Sequence, residues 1–317
     1  MKTLWSWLPD VVDRRVRLAA WASLVSQILI IGTGGAVRLT ASGLGCPTWP
    51  RCTEDSFVST PEMGFHGIIE FGNRLLTFLL IIVALVMFAF VVRMRRERPE
   101  LFRLSILVGL GIPAQAVLGG ITVLTNLNPY VVGLHYLLSI VLVGLAAVLL
   151  YRVRTGAKSS LWAVPTAVRG LTLALLVVLG ISIVMGILTT GSGPHAGDAG
   201  AARNGLDSAL LQHFHAWPSY VVLGLSVTLV GLSLLAGVGT QRFRRTAVAL
   251  LGTIGGQITV GLVQARNGLP ELLVGIHMVL AAVAVALTVS LLLALRREPK
   301  TEAAGQLPLQ EKVGSSS

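Results

Sequence analysis

Residues 104–151 read LSILVGLGIPAQAVLGGITVLTNLNPYVVGLHYLLSIVLVGLAAVLLY, and no charged residue occurs among them. As one helix, at about 1.5 Å per residue, the stretch would run to roughly 70 Å. The hydrocarbon core of a bilayer is only about 30 Å thick. The stretch must therefore fold back on itself. Thr125-Asn126-Leu127-Asn128-Pro129 is where it can, because polar turn formers followed by a proline break a helix. Two apolar segments of about twenty residues, joined by a short turn, read as a pair of membrane-spanning helices.

Working outward, the same pattern recurs along the chain. Leu18–Val37 is a first charge-free segment, and Leu75–Val92 is the charge-free part of a second that begins near Gly67. After the central pair come Gly170–Thr190, His213–Val238, Thr246–Ala265 and Leu272–Leu295. That makes eight spans. The first is too long, and lacks a visible cleavage site, for a removable signal peptide. Composition agrees. Of 317 residues 54% are apolar and 12% charged, with a mean hydropathy of +0.78, whereas soluble domains carry about 25% charged residues. A soluble globule so short of charge could not cover its surface, and disorder requires low hydrophobicity.

The formal net charge of +11 would suggest nucleic acid in a soluble chain, but its distribution says otherwise. Twenty of the 25 Lys and Arg fall before span one, between spans two and three, four and five, six and seven, or after span eight. Arg38, Arg51, Arg203 and Arg266 lie on the opposite side, and Arg74 falls within span two. The positive-inside rule then puts both termini in the cytoplasm of a multi-pass cell-membrane protein. The excess charge reflects topology and attraction to anionic lipid, and nucleic acid is not a partner. The two longest loops, Arg38–His66 and Gly191–Gln212, are both outside. The polar tail at 299–317 reads as disordered.

An internal repeat orders these spans. Gln115, Gly119, Val132, Gly133 and His135 recur 142 residues later as Gln257, Gly261, Val274, Gly275 and His277. The same offset carries Glu70 onto Gln212 and Asn73 onto His215. Thr40, Ser42 and Gly43 recur as Thr190, Ser192 and Gly193 at an offset of 150. Each repeat holds four spans, so both insert with one orientation. The expected architecture is all-α: two parallel-repeat four-helix bundles, residues 1–155 and 156–298.

Polar side chains inside membrane segments are costly and point to function. His135, His215 and His277 each stand a few residues into an outside-to-inside span, at one depth. His215 and His277 come from the second and fourth helices of one bundle, an arrangement that holds a haem between facing imidazoles. Zinc fits less well, since no cysteine or carboxylate accompanies the pair. In the first half the equivalent positions are Asn73 and His135, which would leave one face of a haem iron open. Glu70 lies one helical turn from Asn73, where the second half has the neutral Gln212. It is either a functional carboxylate or simply the i,i+4 ion-pair partner of Arg74. His66 shares that face as a displaced ligand or an ordinary loop-edge histidine. His213 is read as structural, and His195 as covering the edge of the site. The two cysteines, Cys46 and Cys52, face the oxidising side and suit a local disulfide, with a redox-active thiol pair as the rival.

Gly-Thr-Gly-Gly-Ala-Val-Arg-Leu-Thr-Ala-Ser-Gly-Leu-Gly-Cys at 32–46, Ile-Glu-Phe-Gly-Asn-Arg at 69–74, Gly-Ser-Gly-Pro-His-Ala-Gly-Asp at 191–198 and the late histidines resemble the haem A synthase family. The likeness runs from about Arg14 to Arg297. It implies oxidation of the methyl on carbon 8 of haem O to a formyl group, by two successive hydroxylations and loss of water, giving haem A for cytochrome oxidase. The substrate haem belongs in the N-terminal half and a haem b in the C-terminal half. The family's four axial histidines fall on Asn73, His135, His215 and His277, its glutamate on Glu70, and its paired loop cysteines on Cys46 and Cys52. Asparagine at 73 is a departure from that pattern. It leaves His135 as the one iron ligand of the substrate haem, unless His66 takes over. A haem O synthase is the implied upstream partner. The electron donor is not identified by the sequence, and a homo-oligomer is compatible with it. The rival reading is non-catalytic: a membrane di-haem b electron carrier or a haem transfer protein.

Overall fold

The computed structural model describes residues 7–156 and 161–296. The helices are α1 (Arg14–Leu39), α2 (Gly64–Val91), α3 (Pro99–Leu124), α4 (Pro129–Thr155), α5 (Thr166–Ser192), α6 (Ser208–Leu235), α7 (Gln241–Arg266) and α8 (Glu271–Leu293). Eight helices are long and apolar enough to cross a membrane, and among the described residues no strand forms. All eight expected spans are present. Their N-terminal ends overshoot the expected windows, because polar residues at a helix end reach the aqueous interface without breaking the helix, while α6 and α8 stop at Leu235 and Leu293, short of the expected Val238 and Leu295. Thus α2 runs back through Arg74 to Gly64, and α6 begins at Ser208 rather than at His213. The expected tail at 299–317 lies outside the described residues.

Local chemistry fixes those ends. Side chains of Asp13, Asp207 and Thr240 accept from the backbone N–H of Val16, Leu210 and Phe243, satisfying otherwise unpaired donors of a first helical turn. Between α3 and α4 the chain turns through Asn126 and Leu127, at φ of 50° and 58°. Asn128 then caps α4, with Pro129 at its first turn, where a missing N–H costs nothing.

Helix contacts close two cycles. In the first half α1 packs on α2, α2 on α3, α3 on α4, and α4 on α1. In the second the sequence α5, α6, α7, α8 closes in the same way. The halves meet through α1 on α8, α4 on α8 and α4 on α5. Fully buried apolar residues line the helices of this seam, among them Val16 and Ala20 of α1, Val143 and Leu149 of α4, Leu175 of α5 and Leu291 of α8, and others fill the interior of each half, such as Met87 of α2 and Phe243 of α7. The outward faces remain apolar and exposed, as at Phe78, Leu79, Ile82 and Leu85 of α2 and Leu173 and Val177 of α5. A belt of this kind is stable against lipid and not against water.

The two ends of the molecule differ. On the arginine-rich end, guanidiniums lie over aromatic rings: Arg15 over Trp7, Arg154 over Trp21, Arg242 over Tyr151, and both Arg169 and Arg296 over Trp162. Such pairs suit the headgroup level, where one face of the side chain is wet and the other greasy. The opposite end carries the long loops, and these knit together. Gly43 N–H donates to the Gly197 carbonyl at 2.8 Å, while Leu127 packs with Ala196, Ala201 and Leu44 beneath them.

Candidate functional site

Each of the three intramembrane histidines lies against a glycine of the helix before it. A Cβ placed on Gly119 of α3 would come within 3.1 Å of His135 Cε1 on α4. On Gly186 of α5 it would come within 2.9 Å of His215 Cε1, and on Gly261 of α7 within 3.1 Å of His277 Cε1. Any larger residue would displace the ring. A polar residue sits one turn before each glycine: Gln115, Ser182 and Gln257. Gln115 donates to the His135 carbonyl at 3.1 Å, and Ser182 to the His215 carbonyl at 3.4 Å. The pattern of a polar residue followed four places later by glycine was available in the sequence. Its Ser182–Gly186 copy escapes notice there because serine stands where the other two copies have glutamine.

In the second half the two imidazoles face each other. The rings of His215 and His277 are 6.0 Å apart between centroids and inclined at 74°. His215 Nδ1 donates to the Ser182 carbonyl at 2.8 Å, which leaves Nε2 as a free lone pair. His277 Nδ1 is buried without a partner, as is Gln257 Oε1. His213 is exposed and stacks loosely on Trp217, 6.4 Å between centroids.

The first half shares part of this arrangement: His135 Nδ1 and Gln115 Oε1 are buried without partners, as their equivalents His277 Nδ1 and Gln257 Oε1 are. It differs at Asn73, which stands where the second half has His215 and whose Oδ1 is also buried without a partner. Each such atom costs about 1–3 kcal/mol when left unsatisfied. Glu70 is buried, at 5% exposure, and fully engaged. Its Oε1 meets Arg74 Nη2 at 2.5 Å and its Oε2 accepts from the Cys46 N–H at 2.6 Å. Arg74 also donates to the carbonyls of Cys46, Thr48 and Arg51, at 2.9, 3.1 and 3.1 Å. The i,i+4 ion pair anticipated from sequence therefore forms, and it also straps the first outer loop to α2.

That loop is closed by a Cys46–Cys52 disulfide. From it Trp49 lays its indole on Gly120, where a Cβ would stand 2.3 Å from the ring. Gly120 is the neighbour of the glycine that faces His135, so the loop covers the first half from the outside. His66 stands apart. It is exposed, and its Nδ1 shares a 2.9 Å hydrogen bond with Ser42 Oγ. His195 is turned toward the α7–α8 corner, where Nε2 donates to the Leu269 carbonyl at 2.8 Å. Among the described residues, no three His, Cys, Asp or Glu cluster in a way that could hold a bare metal ion.

Residues 17–289 match the family described as cytochrome oxidase assembly protein. The chain belongs to that family. Among proteins similar to it are the heme A synthases of Geobacillus thermodenitrificans, 30% identical over 145 residues, and of Geobacillus kaustophilus, 28% identical over 145 residues. In each case 45% of this chain is aligned with 45% of the relative. The heme A synthase of Bacillus cereus is 26% identical over 149 residues, 47% of this chain and 46% of the relative. The chain thus spans about half the length of the relatives it matches. Membership of the cytochrome oxidase assembly protein family covers all eight helices, in whole or in part.

Proposed function

We propose that this protein is a haem A synthase, which oxidises the carbon-8 methyl of haem O to a formyl group by two successive hydroxylations, in the cell membrane with both termini cytoplasmic. Its halves are parallel repeats of one four-helix bundle, 1–155 receiving haem O and 156–298 holding haem b. The observation that carries this reading is the inequality of equivalent positions. One half closes with two facing imidazoles. The other offers one imidazole, an unpartnered amide oxygen and a buried carboxylate. Heme A synthases among the relatives, in a cytochrome oxidase assembly family, support the same reading.

The residues of the second half fit a haem. His215 and His277, with ring centroids 6.0 Å apart, would hold the haem iron between their imidazoles. The glycines behind both rings hold them upright, and the Ser182 carbonyl fixes the tautomer of His215. When bound there, haem b supplies electrons one at a time. In the first half His135 would hold the iron of the substrate, and Asn73 would offer it a neutral amide in place of a second imidazole. Glu70 holds a proton-transfer position one turn from Asn73. The strap from Arg74 and the lid at Trp49 keep that space closed to water, as oxidation of an unactivated methyl demands.

One observation favours a second reading, a non-catalytic di-haem b electron carrier or haem transfer protein. Glu70 already satisfies a guanidinium and a backbone N–H, so anchoring the loop could be its whole role. The readings separate on product. The protein is purified from membranes that make haem O, and its haems are extracted and identified by chromatography with mass spectrometry. Haem A or its hydroxymethyl precursor, absent from Glu70→Ala, is the result expected of a synthase. Haem b alone, in the presence of ample haem O, is the result expected of a carrier.

A further inference from the structure

Arg38 belongs to the first half by sequence and to the second by contact. It ends α1, yet its Nε donates to the His195 carbonyl at 2.6 Å and its Nη2 to the Thr190 carbonyl at 3.0 Å. Arg203 comes from the second outer loop. Its Nη2 donates to the Pro194 carbonyl at 2.7 Å and its Nη1 to the Ala201 carbonyl at 2.6 Å. The two guanidiniums thus hold the carbonyls of adjacent residues, Pro194 and His195. No carboxylate lies within 4.0 Å of either among the described residues, whose ion pairs are Arg15–Asp13, Arg74–Glu70, Arg93–Asp10 and Arg98–Glu100. Backbone carbonyls hold the pair in place without neutralising it. Arg38 is partly buried and Arg203 exposed, and two like charges held side by side favour an anion that joins them.

The register says which anion. Thr190, whose carbonyl Arg38 grips, hydrogen-bonds through Oγ1 to the Gly186 carbonyl at 2.7 Å. Gly186 is the residue against the His215 ring. Arg38 therefore sits about one helical turn, roughly 5 Å, to the loop side of that imidazole. Across the site its neighbour Leu39 packs on Gly275, two residues before His277. The arginine pair thus crowns the imidazole pair on the aqueous side. A porphyrin held there must direct its acid arms either to water or to a cation.

We propose that Arg38 and Arg203 form a carboxylate-binding pair that takes the propionates of the haem held by His215 and His277, so that α1 of the first half helps bind the cofactor of the second. This rests on the haem reading given above. Two roles follow for Arg38. It locks the second outer loop to α1, and it sets which edge of the porphyrin faces outward.

The test uses the full chain, prepared from haem-depleted cells in lipid nanodiscs and titrated with haem b or with its dimethyl ester. Binding is read from the absorbance of the bis-imidazole haem. The unsubstituted protein is expected to prefer the free acid by about tenfold or more, the worth of a charge-assisted hydrogen bond. Arg38→Gln and Arg203→Gln are each expected to reduce that preference. Arg266→Gln, an exposed arginine on the same side, is expected to leave it unchanged. Should Arg38→Gln not fold, Arg203→Gln decides, because its donors serve only its own loop. A bis-imidazole spectrum with the same acid-to-ester ratio in the folded variants as in the parent would overturn the propionate assignment alone. Absence of that spectrum from the parent protein would overturn the haem reading and this inference with it.

Discussion

The second half presents two imidazoles to each other across 6.0 Å, while the first presents His135 with the buried, unpartnered Asn73 oxygen in that half. The helices around both places make the same cycle of contacts. At these positions the difference is one of side chains. It extends to the loops. The first is stapled by a disulfide and strapped by Glu70 and Arg74, while the second is held by Arg38 and by a loop-to-loop backbone bond. On the function proposed above, one packing scheme accommodates a permanent guest and an exchangeable one. A permanent guest needs two strong ligands. An exchangeable one needs a weaker hold and a cover that admits it.

The largest effect should come from exchanging the two residues that differ most. Glu70→Gln keeps an acceptor for the Cys46 N–H but removes the charge and the proton. It is expected to lower product by about 10²–10⁴-fold, the range for a lost general acid or base, with haem b unchanged. The reciprocal Gln212→Glu is expected to leave product as it was. Product chromatography on both variants checks the pair. Equal losses from each would erase the distinction between the halves.

Next in size is the loop. Replacing Cys46 and Cys52 by serine opens a closed loop of a few residues and should loosen it by about 2 kcal/mol. Limited proteolysis is expected to cut faster between residues 46 and 60, with no change at 193–207. Smaller again is the glycine contact. Gly186→Ala sets a methyl 2.9 Å from the His215 ring and is expected to weaken haem b retention by about 1–2 kcal/mol, the usual cost of overpacking. Gly256→Ala, which meets nothing within 4 Å, is the matched control. Thermal release of haem followed by absorbance separates them. The mildest change is Asn73→His. With haem O bound, it is expected to give the first half a bis-imidazole absorption spectrum resembling that of the second. An unchanged spectrum would mean that position 73 does not face the iron.

Much of this contrast was legible in the residues alone. Charge-free windows located all eight helices, because lipid tolerates few unpaired charges and the windows are long. The offset of 142 paired Asn73 with His215 and Glu70 with Gln212, which is the asymmetry itself. What stayed hidden was lateral. Nothing in the spacing of Arg38 announces that it reaches across to Thr190 and His195, since a lone arginine at a helix end equally well snorkels to water. Arg74 likewise read as the ion-pair partner of Glu70, whereas three of its hydrogen bonds go to loop carbonyls more than twenty residues away. The indole of Trp49 on Gly120 depends on how a proline-rich loop folds back, which periodicity does not encode.

The central claim is that the halves hold different haems. It is tested most directly by deleting one imidazole from each and asking which haem leaves. His135→Ala and His215→Ala are purified from membranes containing both haem b and haem O, and the extracted haems are quantified. The account predicts that His135→Ala keeps haem b and loses haem O and haem A, while His215→Ala loses haem b. Loss of haem b to the same extent in both variants would contradict it.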